Sequence, residues 1–319
     1  MASNCSVDFA SRPLALIVIG MAGSGKTSFV NALKTYLSQN NDLPAYTINM
    51  DPAVHFLPYD PNIDIRDVIN YKEVMKEYNL GPNGAILTSL NLFSTKMSDV
   101  VQLINNNSGA INYCICDTPG QIEVFKWSAS GKIITETLSS SFPTAIVYVI
   151  DCTRSINPRT FVSNMAYASA VATEYDLPFV MVMNKTDIID CQYLVDWMGD
   201  VTKFIDDMEG QDLGYMTSMT RQMAFVMEKF YSVIPKCGVS SQTGEGIAEL
   251  VELLKAAREQ FLTEYLHEIV PARNANDDEP VESEFLDLLA DRMKKSEEEQ
   301  AKTEKESEEL LSENGNETD

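Results

Sequence analysis

The sequence predicts an α/β fold of three layers, a mostly parallel central sheet between layers of helices. Three observations predict it. Short β-rich apolar runs alternate with helix-like stretches along most of the chain, the pattern of parallel strands joined by crossover helices. Several of those runs are continuously apolar, as expected of strands covered on both faces. A glycine-rich segment, Gly20–Thr27, stands between the first strand and the first helix, where such folds bind anionic ligands.

The elements follow in order. Leu14–Gly20 is the first strand, carried by the apolar run Leu14–Ile19, and Thr27–Gln39 is the helix after the glycine-rich loop. Strand Ala45–Met50 leads into a long insertion, about 51–109, with helices expected at Ile65–Tyr78 and Leu90–Asn105. Strands Asn112–Asp117 and Ala145–Asp151, helix Arg159–Tyr175 and strand Phe179–Asn184 continue the alternation. A second, helical insertion spans about 191–231, after which strand Val233–Val239 and helix Glu245–Leu266 complete a domain of residues 1–270. This insertion is rich in methionine: Met216, Met219, Met223 and Met227 fall on or near one helical stripe. Such a stripe suits ordinary core packing or an adaptable apolar groove for a partner peptide.

Composition narrows the class. A chain of 319 residues with 45% hydrophobic and 9% aromatic residues can build one large core. No apolar run near the start approaches a membrane span, and no signal-peptide pattern is present, so a cytoplasmic protein, with the nucleus as a second compartment, is expected. The net charge of −23 disfavours direct nucleic-acid or anionic-membrane partners, which need a basic footprint. Six cysteines, none in a CxxC pair, are expected to be reduced and structural. From Ala272 to Asp319 there are 17 acidic and 6 basic residues. That segment, 271–319, is expected to be a mostly disordered acidic tail. Phe285, Leu288, Leu289 and Met293 allow a short amphipathic helix over about 282–293, either docking on a partner or weakly resembling an export signal.

The chemistry is concentrated in four motifs. Gly20-Met-Ala-Gly-Ser-Gly-Lys-Thr27 is a complete phosphate loop in the right context, strand before and helix after. The backbone of Gly23, Ser24, Gly25 and the first helical residues, through Ser28, can wrap phosphates. Lys26 is expected to reach the β- and γ-phosphates, and the Thr27 hydroxyl to hold Mg²⁺. The fold class is therefore that of a three-layer P-loop NTPase with helical insertions and an acidic tail. Asn184-Lys185-Thr186-Asp187 ends a later strand. A carboxylate at Asp187 can accept from both guanine N1–H and the exocyclic amine, a donor pair adenine lacks. Lys185 can lie over the base, Asn184 can tie its loop to the phosphate loop, and Ser241 and Gln242 lie where a backbone N–H meets guanine O6. GTP is therefore the expected nucleotide.

Asp117-Thr-Pro-Gly120 ends another strand, placing a carboxylate for Mg²⁺ and a glycine N–H near the γ-phosphate. Gln121 and Glu123 would point to one side if their segment is extended. There they could orient and accept from the attacking water, or form no more than a polar loop. Asp51, at the end of the second strand, is placed to touch Mg²⁺ or its water, although Asp-Pro also commonly opens a loop. No arginine is obviously placed as a finger.

Taken with Gly81-Pro82-Asn83, the motifs Asn49-Met-Asp-Pro-Ala53, Asp117-Thr-Pro-Gly-Gln-Ile-Glu123 and Asn184-Lys-Thr-Asp187 resemble those of the GPN-loop GTPases over about residues 12–268. Within that family, the nearest resemblance is to the branch that supports RNA polymerase II assembly and nuclear import in eukaryotes. The resemblance implies a homodimer, or a heterodimer with a GPN-loop paralogue, in which Asn83 reaches the partner's site and replaces an arginine finger. It also implies that Gln121 and Glu123 position the water, that Asp51 supports Mg²⁺, and that polymerase subunits or their assembly factors are partners. Two outputs remain open: hydrolysis for its own sake, or a nucleotide-gated assembly chaperone that hydrolysis resets. A metal-insertion GTPase is the more distant alternative, with only 2 histidines in the chain against it.

Overall fold

The computed structural model describes residues 9–40, 44–208 and 215–265, all of them within the unit Met1–Ile269. The expected tail 271–319, with its helix at 282–293, lies outside the described residues. Seven strands form one sheet: β1 Leu14–Ile19, β2 Tyr46–Asn49, β3 Ile63–Asp64, β4 Tyr113–Asp117, β5 Thr144–Asp151, β6 Phe179–Asn184 and β7 Lys236–Val239. Their order is β3-β2-β4-β1-β5-β6-β7, and every pairing is parallel. All six residues of β1 are buried, as a central strand covered on both faces requires.

The period of two along each strand builds the three layers. Leu14, Leu16 and Val18 face one apolar cluster, closed by Phe29, Val30, Leu33 and Leu37 of helix Lys26–Gln39 and by Ile247, Leu250 and Leu254 of helix Ile247–Gln260. Ala15, Ile17 and Ile19 face the other, closed by Ile134 and Leu138 of helix Ala129–Ser141 and by Phe161, Met165 and Ala168 of helix Pro158–Tyr175. The strand order reverses at β1. Strand C-termini gather there, and the loop after β1 opens into the crevice.

The insertions differ from expectation in detail. Ile65–Tyr78 is not one helix but two, Ile65–Val68 and Tyr71–Glu77. Ile69 is extended, and the Asn70 side chain accepts from the Lys72 and Glu73 N–H groups, an N-cap that restarts the helix. The stretch expected to begin at Leu90 begins at Pro82 and forms helices Pro82–Ser94 and Met97–Asn107. Gly-Pro-Asn is thus a helix start, with proline in the first turn where its missing N–H costs nothing. Val233 ends helix Tyr215–Val233 instead of opening a strand, and β7 begins at Lys236. Strand β3 and the helices Ile122–Lys126 and Ala129–Ser141 are additional to the expected elements.

The second insertion consists of helices Gln192–Gly199, Val201–Met208 and Tyr215–Val233. Trp197 and Phe204 meet Phe161 edge-on or tilted, with centroids 5.4 and 5.8 Å away, which anchors this insertion to the main core. Of the methionine stripe, Met227 is buried and Met223 packs on the core, whereas Met219 is 43% exposed; the Met216 side chain lies outside the described residues. No helix among the described residues is long and apolar enough to cross a membrane. Cys114, Cys116, Cys152, Cys191 and Cys237 are free thiols.

Candidate nucleotide site

The loop between β1 and helix Lys26–Gln39 owes its shape to close backbone approach. Gly25 has φ +90°, and a Cβ there would stand 2.5 Å from Asn184 Nδ2; one at Gly20 would stand 2.3 Å from the Val149 carbonyl oxygen. Only glycine fits either place. Lys26 is buried and its Nζ donates to the carbonyls of Gly20 at 2.7 Å and Met21 at 3.2 Å. Burial lowers its pKa to about 8, against the pull of Asp117 and Asp51. The Ser24 hydroxyl is buried without a hydrogen-bond partner. Gly23 and Ser28 are exposed at the mouth of the loop and Thr27 is half-buried. The amides at the start of this 14-residue helix supply the anion-binding end.

Asp117, the last residue of β4, is 1% exposed. Its Oδ2 accepts from the Tyr59 hydroxyl at 3.0 Å, and the neighbouring Thr27 hydroxyl favours the ionised form of the same carboxylate. Its Oδ1 is buried with no hydrogen-bond partner. Asp51, just past β2, accepts from the Ala53 N–H at 2.9 Å, and the Gly120 backbone nearby favours its ionised form. The orphaned Asp117 oxygen, with the Thr27 hydroxyl and the Asp51 carboxylate, is a set of hard oxygen donors that fits Mg²⁺. No group of three or more His, Cys, Asp or Glu that could hold a metal occurs among the described residues, so an ion here would share its shell with nucleotide phosphate and water.

Burial raises the Asp117 pKa from 3.8 to about 6, and that sets a pH dependence. Between those values the folded chain holds a proton that the unfolded chain releases, so stability falls as pH rises. Without nucleotide and Mg²⁺, the wild-type chain is expected to lose up to about 3 kcal/mol relative to Asp117→Asn between pH 4 and 6. Paired thermal unfolding across that range measures it; parallel curves would contradict it.

The opposite end of the crevice is built around Asn184, the last residue of β6. Its Nδ2 donates to the Ser24 carbonyl at 2.9 Å. Its Oδ1 accepts from Lys185 N–H at 2.9 Å, the Ser241 hydroxyl at 2.7 Å and the Ser241 N–H at 3.3 Å. Three loops are thus pinned by one amide. Lys185 adopts φ +72°, and its Nζ donates to the Gly23 carbonyl at 3.0 Å and pairs with Asp151 Oδ2 at 2.6 Å. The exposed Asp187 accepts from the Ser240 hydroxyl at 2.7 Å. The same Ser240 oxygen accepts from Gln242 N–H at 3.3 Å, which positions the Ser241–Gln242 turn beside Asp187.

Three neighbours were not legible as site residues. Arg154 Nη1 donates to the Ala22 carbonyl at 3.0 Å, and its Nε stands 3.6 Å from Asp151 Oδ2. Asp151, the last residue of β5, therefore holds two cations, Lys185 and Arg154, against the phosphate loop. Its position at a strand C-terminus is the signal that could have found it. The third is Tyr59.

Gly120 precedes Gln121, which caps helix Ile122–Lys126. The segment is therefore not extended, and Gln121 and Glu123 do not project side by side as expected. Gln121 Nε2 donates to Asn83 Oδ1 at 2.8 Å, whereas Glu123 Oε1 accepts from the Tyr167 hydroxyl at 3.4 Å. The structure thus joins Gln121 to the start of helix Pro82–Ser94 within one chain.

Comparison with known proteins gives a family model, curated relatives and a solved structure. Residues 18–260 match the family model described as "Conserved hypothetical ATP binding protein". GPN-loop GTPase 1 of Dictyostelium discoideum is 50% identical over 250 residues, 78% of this chain and 63% of its own length. GPN-loop GTPase 1 of Schizosaccharomyces pombe is 45% identical over 270 residues, 82% of this chain and 73% of its own. The crystal structure of an apo-form GTPase from Pyrococcus abyssi superposes with a TM-score of 0.67 at 25% identity, covering 78% of this chain and 98% of that one. The match therefore spans slightly less than two thirds of the Dictyostelium protein.

Proposed function

The chain belongs to the GPN-loop GTPase family, and on that premise we propose that it binds GTP with Mg²⁺, hydrolyses it to GDP and phosphate, and uses the cycle to gate a client. The observation that carries the nucleotide reading is the Asn184 hub, which ties the Asp187 loop to the phosphate loop through Ser24. A recognition carboxylate and a phosphate cradle are thereby held at one fixed separation. Lys26 and the helix N-terminus bind the phosphates, Asp187 selects the base, and Asp117, Thr27 and Asp51 hold Mg²⁺. Bound there, the ion neutralises charge on the phosphates. Gln121 orients the attacking water, and Asn83 completes that arrangement. Glu123 accepts from the Tyr167 hydroxyl of helix Pro158–Tyr175 and so ties helix Ile122–Lys126 to it.

We place the client among RNA polymerase II subunits or their assembly factors, with cytoplasm-to-nucleus shuttling. The family resemblance, the acidic charge and the partly exposed methionine-bearing helix support this. Binding of those subunits is expected to differ between the GTP- and GDP-loaded chain, because a ligand with equal affinity for both states is not gated. Equal capture in both states would reject the gated role.

The working unit is a dimer in which Asn83 acts on the partner's nucleotide. Asn83→Ala and Gln121→Ala are each expected to lower kcat about 100-fold, with GTP affinity kept. Mixed together, they restore one site per dimer that carries both side chains, so activity is expected to return. No recovery would reject action across the dimer and assign the pair to one chain, where Gln121 Nε2 and Asn83 Oδ1 stand 2.8 Å apart.

A further inference from the structure

We propose that Tyr59 is a positioning residue that orients the Asp117 carboxylate for the magnesium ion; the inference rests on the reading of Asp117 as a holder of that ion. Tyr59 belongs to the segment between β2 and β3, yet its side chain is buried in the apolar cluster beneath helix Lys26–Gln39. Its ring carries the Lys34 ammonium 5.7 Å from the centroid. A phenol this deep needs an acceptor for its hydroxyl. That acceptor is Asp117 Oδ2, 58 residues away in sequence and 3.0 Å away in space.

The two carboxylate oxygens therefore have different environments. Oδ2 is occupied by a donor, whereas Oδ1 is buried and unpartnered. A carboxylate free to rotate about its terminal torsion would populate a broad range of orientations, and a donor fixed on one oxygen removes that freedom. Groups that hold a metal ligand in this way typically change metal affinity by about 10- to 100-fold when removed. The chain between Asp51 and Tyr59 therefore bears on both carboxylates that would hold the ion: Asp51 would supply one, and Tyr59 fixes the orientation of the other. Nothing in the motif pattern marks Tyr59, because its role depends on a contact between two distant segments.

The test is release of a fluorescent GDP from the full chain as a function of free Mg²⁺. Tyr59→Phe keeps the ring, its apolar neighbours and the Lys34 contact, and removes only the donor. Its half-effective Mg²⁺ is expected to rise about tenfold, while release in excess chelator matches wild type. Asp117→Asn is expected to raise the requirement further, and adding Tyr59→Phe to it should change nothing more. Tyr59→Leu, which is less stable because it loses the ring, should give the same magnesium shift as Tyr59→Phe. An unchanged requirement in Tyr59→Phe beside a shifted Asp117→Asn would overturn the proposal, as would a shift that tracks stability across the two Tyr59 variants. An unshifted Asp117→Asn would instead overturn the assignment of Asp117 to the ion.

Discussion

Replacing Asp187 with asparagine is expected to weaken GTP binding by about 100-fold or more and to create affinity for xanthosine triphosphate. The carboxylate can accept from guanine N1–H and from the exocyclic amine together. An amide offers one acceptor and one donor, so its N–H₂ faces the guanine amine donor to donor. Hydrogen bonds to a charged acceptor contribute about 1.5–3 kcal/mol each, and a desolvated donor left unpaired costs a similar amount. Xanthine carries a carbonyl where guanine carries the amine, so the new donor finds an acceptor. The Ser240 hydroxyl, 2.7 Å from Asp187 Oδ1, can keep its bond to the amide oxygen, so the fold is expected to tolerate the change. Affinities for the two triphosphates, measured on wild type and variant, check the exchange. Unaltered GTP affinity would remove Asp187 from base recognition.

Asn184→Ala is expected to be the most damaging single truncation in the site for both stability and binding. The side chain is 1% exposed and satisfies groups from three loops: the Ser24 carbonyl, Lys185 N–H and both donors of Ser241. Truncation leaves several of these without partners at about 1–3 kcal/mol for each one that water cannot reach. A loss on the order of 3 kcal/mol is expected, or about 6–12 °C in Tm for a domain of this size. The phosphate loop also loses its tie to the Asp187 loop, so nucleotide affinity should fall by about tenfold or more, an orientation cost distinct from lost stability. Asn184→Asp separates the two effects. It keeps the acceptor toward Lys185 and Ser241 but sets an oxygen against the Ser24 carbonyl, so binding should suffer while most of the loop structure remains. Wild-type affinity in both variants would show that the tie to Ser24 does not matter for the site.

What could be read in the sequence was what local pattern determines. Strands β1, β4, β5 and β6 are apolar enough to be recognised without knowing their neighbours, and each ends at or beside a site residue. What escaped depends on distant contacts or on local capping. Strand β3 is two residues long and exists because Ile63 and Asp64 pair with Ile48 and Asn49 of β2. The helix expected over Ile65–Tyr78 is interrupted because Asn70 caps a new one, a local signal that the apolar spacing obscures. Gln121 and Glu123 diverge because the chain turns helical at Ile122. Nothing local marks Arg154, because its partner Ala22 is 132 residues away, a juxtaposition that only the parallel alignment of β1 and β5 creates.

A base-recognition loop is fixed to a phosphate cradle through Asn184, whereas the description of the matched family names ATP. Titration of the purified, nucleotide-stripped chain with GTP, GDP and ATP in Mg²⁺ tests the guanine assignment most directly. The predicted result is tight binding of both guanine nucleotides with ATP weaker by about 100-fold or more. Equal affinity for ATP and GTP would contradict the assignment of Asp187 and the nucleotide cycle built on it.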